Sequence, residues 1–101
     1  MSYPKSPKKL ALITGGANGI GLATAQQLAK QNYDLFLIDK DEENLKIAQS
    51  KVLSLGAEVQ ILALDLSDAQ ETDLAISDLV KRYEFDALVN NAGLGFARTV
   101  S

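Results

Sequence analysis

Short apolar runs alternate with segments of helical periodicity along the chain, and this alternation restricts the possible folds more than any other feature. The apolar runs have the character of strands buried on both faces, and they cover residues 10–14, 35–39, 59–64 and 87–90. The segments between them place apolar residues on one helical face, within residues 20–31, 45–55 and 75–83. Strict alternation predicts right-handed crossovers between parallel strands, and four strands are too few for a barrel. We therefore expect an α/β fold with an open, doubly wound parallel sheet of four strands and three helices.

Residues at the ends of the predicted helices support these boundaries. Asn32 and Gly56 stand where the first two helices need a residue in the left-handed conformation in order to end. Ser67 and Gln70 have the spacing of a capping box, which predicts the start of the third helix. Tyr83 falls on the apolar face of that helix, so we expect it in the core or at its edge.

Composition excludes several classes of function. The chain has 101 residues, the size of one domain, and its net charge of −3 gives no reason to expect nucleic acid or an anionic membrane as a partner. It contains no cysteine and no histidine, so we predict no disulfide and no metal site. Residues 1–8 are polar and basic, and we expect a flexible arm there rather than a nucleic-acid-binding one. The start lacks the apolar core of a secretory signal and no run is long enough to span a membrane, which predicts a cytoplasmic protein.

Four glycines occur within LITGGANGIG, residues 12–21, at the turn from the first strand to the first helix. Ligands of open parallel sheets bind beyond the carboxyl ends of the strands, where this turn lies. Gly15 or Gly16 allows a sharp turn, and Gly19 allows backbone N–H groups to approach an anion. Gly21 allows the helix to pack closely on the sheet. A diphosphate here would meet the positive end of the helix dipole; the alternative is that the glycines only make a tight turn.

The segment TGGANGIG, residues 14–21, resembles the cofactor motif TGxxxGxG of the short-chain dehydrogenase/reductase family. The resemblance continues with Asp39 at the end of the second strand, with Asp65 and Leu66 after the third, and with NNAG, residues 90–93, after the fourth. It covers residues 8–95 and implies that residues 9–101 are part of an NAD(P)-binding Rossmann domain. It also implies the strand order 3-2-1-4. The fourth strand would then be an open edge, and we expect self-association through it.

The resemblance implies a coenzyme site built from the ends of all four strands. Its predicted residues are Thr14, Gly15, Asn18, Gly19, Ile20, Gly21, Asp39, Asp65, Leu66, Asn91, Ala92 and Gly93. In the family, the residue at the position of Asp65 binds the adenine amino group, and the backbone at the position of Leu66 contacts the ring. The alternative for Asp65 is a carboxylate that only forms part of the turn after the strand. Residues 91–93 are implied to contact the ribose through their backbone, and Asn90 to tie neighbouring strands together.

Asp39 is the residue that predicts which coenzyme binds. It lies 18 residues beyond Gly21, close to the distance at which a carboxylate accepts hydrogen bonds from the adenosine ribose hydroxyls of NAD. The 2′-phosphate of NADP would face a like charge there, and family members that prefer NADP usually carry a basic residue where this chain has Asn18. Lys40 would offset part of that repulsion. We expect NAD rather than NADP; the alternative is that Asp39 caps the helix that begins near Glu42.

The catalytic residues of the family are not predicted in this chain. Family members use a tyrosine, a lysine four residues later and a serine to move hydride between nicotinamide and an alcohol or carbonyl. The three tyrosines here are followed, four residues later, by Pro7, Leu37 and Ala87. Two hypotheses remain. In the first, the chain is the dinucleotide-binding half of an NAD-dependent oxidoreductase and residues 96–101 break off in a loop; in the second, it is a complete, non-catalytic dinucleotide-binding or interaction module.

Overall fold

A computed structural model of the chain describes residues 8–91, and within them the seven elements follow the predicted order. The strands are β1 Lys9–Thr14, β2 Tyr33–Asp39, β3 Val59–Ala63 and β4 Ala87–Asn90. The helices are α1 Gly19–Lys30, α2 Glu42–Leu53 and α3 Ala69–Arg82. Ala92 and Gly93 of the predicted site lie outside the described residues, as does the predicted arm except for Lys8, whose ammonium donates to the Gly56 carbonyl over 2.8 Å.

The four strands form one parallel sheet in the order β3-β2-β1-β4. Thr14, the last residue of β1, lies opposite Ile38 of β2 and Asn90 of β4, so the carboxyl ends of three strands meet at one edge. The predicted fold class and strand order are therefore confirmed. Among residues 8–91, β4 pairs with β1 alone.

Two apolar layers hold the helices on the sheet. Successive side chains of a strand point to opposite faces, so Ala11 and Ile13 lie on the face that α1 and α2 cover, while Leu12 lies on the face that α3 covers. The first layer is completed mainly by Ala25, Ala29, Leu35, Leu37, Leu45, Ala48, Val52 and Val59. The second layer is completed by Phe36, Ile38, Leu66, Ile76, Leu79 and Phe85. This two-sided burial explains why the strands read as continuous apolar runs.

The start of α3 differs from the prediction. Asp68, not Ser67, is the N-cap, and its Oδ1 accepts the Glu71 N–H over 3.0 Å. The predicted capping box at Ser67 and Gln70 is therefore wrong by one residue. Asp68 and Glu71 have the same capping-box spacing, and the carboxylate is the stronger acceptor for an orphan N–H at a helix start.

The ends of the helices agree with the prediction at two positions and differ at two others. Asn32 has φ 72° and Gly56 has φ 94°, which confirms the predicted left-handed residues. The second helix ends at Leu53, before the end of the predicted segment, and Leu55 is exposed. Tyr83 follows α3 instead of belonging to it. Its ring packs edge-on against Phe36 with centroids 5.6 Å apart, which confirms its place at the edge of the core.

Candidate functional site

The glycine-rich turn is fastened to β2 as soon as the chain leaves β1. Gly15 has φ 69°, and its N–H donates to the Ile38 carbonyl over 2.7 Å. The Gly16 N–H donates to the same oxygen over 3.2 Å. A Cβ at Gly16 would lie 3.0 Å from Leu37 Cδ2, so the turn also lies close against the side chains of β2.

Gly19 and Gly21 are required for different physical reasons. Gly19 has φ 56°, and a Cβ there would meet no atom of residues 8–91 within 4 Å, so its role is backbone conformation and not close packing against them. A Cβ at Gly21 would lie 2.0 Å from the Gly15 carbonyl oxygen and 2.9 Å from Asn91 Nδ2. The close approach that Gly21 permits is therefore to the turn and to Asn91, and not to the strands as the sequence suggested.

The start of α1 is open to solvent and lacks a side-chain cap. Asn18 is the N-cap, but its side chain makes no capping hydrogen bond. Asn18 and Gly19 are exposed, and Ile20 is 75% exposed although it is a large apolar residue. The first N–H groups of a helix have no partner within the helix, and the helix dipole makes this end positive. The arrangement is able to bind an anion.

Asp39 lies directly beside this turn, at the end of β2. Its Oδ2 accepts the Ala17 N–H over 3.2 Å, and its Oδ1 accepts the Lys40 N–H over 2.7 Å. It does not cap α2, because Asp41 is the N-cap and accepts the Asn44 N–H over 3.1 Å. The alternative interpretation of Asp39 as a helix cap is therefore wrong.

Asp65 and Leu66 follow β3, and their side chains have different environments. Asp65 is exposed, and its Oδ1 accepts both the Ser67 hydroxyl over 2.7 Å and the Ser67 N–H over 3.0 Å. These two hydrogen bonds, with a smaller contribution from the Lys40 ammonium, lower the pKa of the Asp65 carboxyl. The Leu66 side chain is buried in the core layer under α3, so only its backbone is available to a ligand.

Thr14, Asn90 and Asn91 connect the turn to β4. Thr14 is fully buried, and its hydroxyl donates to Asn90 Oδ1 over 3.1 Å, which ties β1 to β4 as expected for Asn90. The Asn91 amide donates to the Gly15 carbonyl over 3.2 Å. Thr14, which is buried, and Asn91, which is exposed, thus both connect β4 to the start of the turn.

Two residues of the site were missed from the sequence. Ala17 is buried and supplies the N–H that Asp39 accepts, and Ser67 supplies two donors to Asp65. The spacing of Asp65 and Ser67 is that of an Asx turn, which is a recognisable signal. The contact between Ala17 and Asp39 joins residues 22 positions apart and has no local signal. Within residues 8–91, no group of three or more acidic side chains is placed to hold a metal ion, and no helix is long and apolar enough to cross a membrane.

The sequence profile of the short chain dehydrogenase family matches residues 9–101, which is nearly the whole chain. The chain belongs to the short-chain dehydrogenase family. Sequence and fold agree on this membership, because the described motif residues, from Thr14 to Asn91, lie at the carboxyl edge of a parallel sheet with the expected strand order.

Individual short-chain dehydrogenases resemble the chain in both sequence and structure. An 11-beta-hydroxysteroid dehydrogenase of Pinus massoniana is 37% identical over 89 residues, which are 86% of this chain and 25% of that protein. The solved structure of NAD⁺-bound xylitol dehydrogenase has a TM-score of 0.75 and 32% identity, over 88% of this chain and 35% of that one. The solved structure of L-sorbose reductase from Gluconobacter frateurii, complexed with NADPH and L-sorbose, has a TM-score of 0.74 and 32% identity, over 92% of this chain and 36% of that one.

The chain spans between 25% and 34% of the length of the curated relatives that it matches. The matches confirm the family and the Rossmann-type fold. They support the hypothesis of a dinucleotide-binding portion of a short-chain dehydrogenase/reductase, and they give no support to that of a separate non-catalytic module.

Proposed function

We propose that this chain binds NAD(H) in preference to NADP(H), and that it is the coenzyme-binding part of an oxidoreductase acting on an alcohol or carbonyl substrate. The observation that carries the proposal is the position of the Asp39 carboxylate, held beside the glycine-rich turn by the Ala17 N–H. When bound, the coenzyme supplies the hydride chemistry. The residues of this chain bind and orient it.

The turn suits a pyrophosphate. Within the described part of the chain the space next to Gly19 is open, the first N–H groups of α1 lack internal partners, and the nearby side chain of Asn18 is uncharged. An anion at a helix N-terminus gains up to about 2 kcal/mol in partly buried geometry. We therefore assign the pyrophosphate to Gly15, Gly19 and Ile20 through their backbone, with Gly21 shaping the turn and Thr14 fixing its start.

Asp39 suits an unmodified ribose. A carboxylate has about four acceptor positions, and those of Asp39 are only partly used by the N–H groups of Ala17, Lys40 and Asp41, at 3.2, 2.7 and 3.4 Å. Capacity remains for ribose hydroxyls. A 2′-phosphate 4 Å away would be repelled by about 1 kcal/mol per unit charge in water and by about 4 kcal/mol at an effective dielectric constant of 20. A preference of at least about fivefold for NADH follows.

The adenine end of the site lies between β2 and β3. Leu64 N–H donates to the Asp39 carbonyl over 2.9 Å, so the segment that carries Asp65 and Leu66 runs beside Asp39. We assign Asp65 to the adenine amino group and the Leu66 backbone to the ring. Asn91, Ala92 and Gly93 are proposed to contact a ribose through their backbone.

The test is calorimetric titration of the chain with NADH and, separately, NADPH. Asp39→Asn keeps an acceptor oxygen for the Ala17 N–H and removes the charge, so NADH binding should weaken while NADPH binding strengthens. Asp78→Asn, on the exposed face of α3, is the matched control for one lost charge and should leave the ratio unchanged. Tighter binding of NADPH by the wild type, or an unchanged ratio in Asp39→Asn, would refute the preference for NAD. No binding of either coenzyme would refute the site.

We further propose that this chain self-associates through β4. Within the described residues β4 has one partner strand, and its residues Ala87, Leu88 and Val89 are only half-buried. Unpaired backbone and apolar side chains at a sheet edge favour pairing with a second copy. Light scattering should show a mass that rises with concentration, and a constant monomer mass would contradict this. The cytoplasmic location and the flexible arm remain predictions from composition.

A further inference from the structure

The Ser67 side chain forms its hydrogen bond with Asp65, two residues earlier, and not with the helix that follows. Asp68 caps α3 by accepting the Glu71 N–H, so the Ser67 hydroxyl is not needed there. The hydroxyl and the N–H of Ser67 both donate to the same atom, Asp65 Oδ1, over 2.7 and 3.0 Å. One oxygen of an exposed carboxylate is therefore held by two donors.

The second oxygen of Asp65 is available to a ligand. Asp65 Oδ2 accepts no hydrogen bond from residues 8–91. An exposed carboxylate is otherwise free to change rotamer, and fixing Oδ1 also fixes where Oδ2 lies relative to the end of β3. The turn thus presents one acceptor in a defined position.

The charge of Asp65 is stabilised by the same contacts. The Ser67 hydroxyl and then the Ser67 N–H lower the pKa of the carboxyl, and Lys40, at the end of the neighbouring β2, adds a smaller effect of the same sign. An ionised carboxylate only accepts hydrogen bonds. It therefore recognises a donor such as an exocyclic amino group and rejects a carbonyl oxygen in the same place.

We propose that Ser67 is a positioning residue for adenine recognition, which holds Asp65 so that Oδ2 accepts a hydrogen bond from the exocyclic amino group. The inference rests on the proposed function, since it requires the coenzyme site. Ser67 contacts no coenzyme atom itself and acts through Asp65. A role confined to the stability of the turn would affect all dinucleotides alike.

The experiment compares two dinucleotides by calorimetric titration of the chain. One is NADH; the other is reduced nicotinamide hypoxanthine dinucleotide, which carries a carbonyl oxygen where adenine carries its amino group. Ser67→Ala should weaken NADH binding by about threefold to tenfold and leave binding of the hypoxanthine analogue nearly unchanged. Ser67→Thr keeps both donors and should restore NADH binding. Ser54→Ala removes a comparable exposed serine hydrogen bond, 2.6 Å to the Lys51 carbonyl, and should change neither affinity.

A double-mutant cycle shows whether Ser67 acts through Asp65. In an Asp65→Ala background, Ser67→Ala should have no further effect on NADH binding. Equal losses for both dinucleotides, full NADH affinity in Ser67→Ala, or an undiminished effect in the Asp65→Ala background would each overturn the positioning role. Absence of binding by the wild type would instead overturn the coenzyme site itself, and the positioning role with it.

Discussion

Replacing Gly21 by alanine distinguishes helix propensity from close packing, because the two predict changes of opposite sign in the free energy of unfolding. Alanine at an ordinary helix position stabilises by about 1 kcal/mol relative to glycine. At Gly21, however, the new Cβ would lie 2.0 Å from the Gly15 carbonyl oxygen and 2.8 Å from the Gly15 carbonyl carbon. Reaching 3.4 Å requires the turn and the helix to separate by about 1.4 Å, and both neighbours are backbone atoms.

The expected cost follows from these contacts. Overpacking of this kind costs about 1–3 kcal/mol, and the upper end applies because backbone has to move. The same Cβ would lie 2.9 Å from Asn91 Nδ2, and losing the hydrogen bond from Asn91 to Gly15 adds about 1 kcal/mol. After the gain in helix propensity, Gly21→Ala should destabilise the chain by about 2–3 kcal/mol, or about 10–20 °C in Tm for a domain of this size.

Thermal and urea unfolding followed by circular dichroism measure this effect, and titration with NADH measures its consequence for binding. Ala23→Gly, at an exposed position of the same helix, reports propensity alone and should cost about 1 kcal/mol. Gly16→Ala should cost less than Gly21→Ala, because its closest neighbour is a side-chain atom, Leu37 Cδ2, at 3.0 Å, and no backbone atom of residues 8–91, apart from its chain neighbours, is closer than 3.4 Å. An unchanged or raised Tm for Gly21→Ala with NADH binding retained would refute the close-contact explanation.

Three further changes test separate features of the structure. Gly19→Ala should cost about 1–2 kcal/mol in urea unfolding because of its φ of 56°, and Gly19→Asn should cost less because asparagine tolerates that conformation; equal costs would contradict a conformational role. Asp41→Ala removes the cap of α2 and should cost about 0.5–2 kcal/mol, with Asp41→Ser recovering most of it and NADH affinity unchanged. The pKa of Asp65 is lowered from 3.8, so its contribution to stability should be complete above that pH and lost as pH falls through the lower folded-state pKa. Ser67→Ala should move this loss toward higher pH in unfolding experiments between about pH 5 and about pH 2, and an identical profile for both proteins would contradict the assigned cause.

The order of elements was predictable because each is recorded in a local pattern. The residues of β1 and β2 are buried on both sides of the sheet, so their sequences are continuously apolar, and the predicted range 87–90 coincides with β4. Asn32 and Gly56 marked helix ends for a reason that depends only on backbone conformation. Local physics determines these features.

Choices between adjacent candidates were harder to predict. Ser67 and Asp68 are both good helix caps, and the outcome depends on Asp65, which takes the serine hydroxyl, and on Glu71, whose N–H lies within reach of Asp68. Tyr83 has the right spacing for the apolar face of α3 but leaves the helix to pack against Phe36. Both outcomes depend on contacts that the local sequence does not contain.

The site was predictable as a set of residues but not as a set of contacts. The sequence indicated separate roles for the glycines of the turn, but it did not indicate that Gly19 has φ 56° or that Gly21 lies close to Gly15 instead of to the sheet. Asp39 was identified by its spacing, but its hydrogen bond to Ala17 depends on how β2 lies beside the turn. Contacts between distant segments exist only after the sheet has formed.

The attachment of Asn91 to Gly15 has a consequence for synthesis on the ribosome. The turn is synthesised before β4, and one of its carbonyls is held by a side chain 76 residues later in the chain. Until β4 has been translated and has paired with β1, the nascent turn lacks this contact and the bond between Thr14 and Asn90. We therefore expect the coenzyme to bind and stabilise the chain only after β4 has been synthesised and has paired with β1.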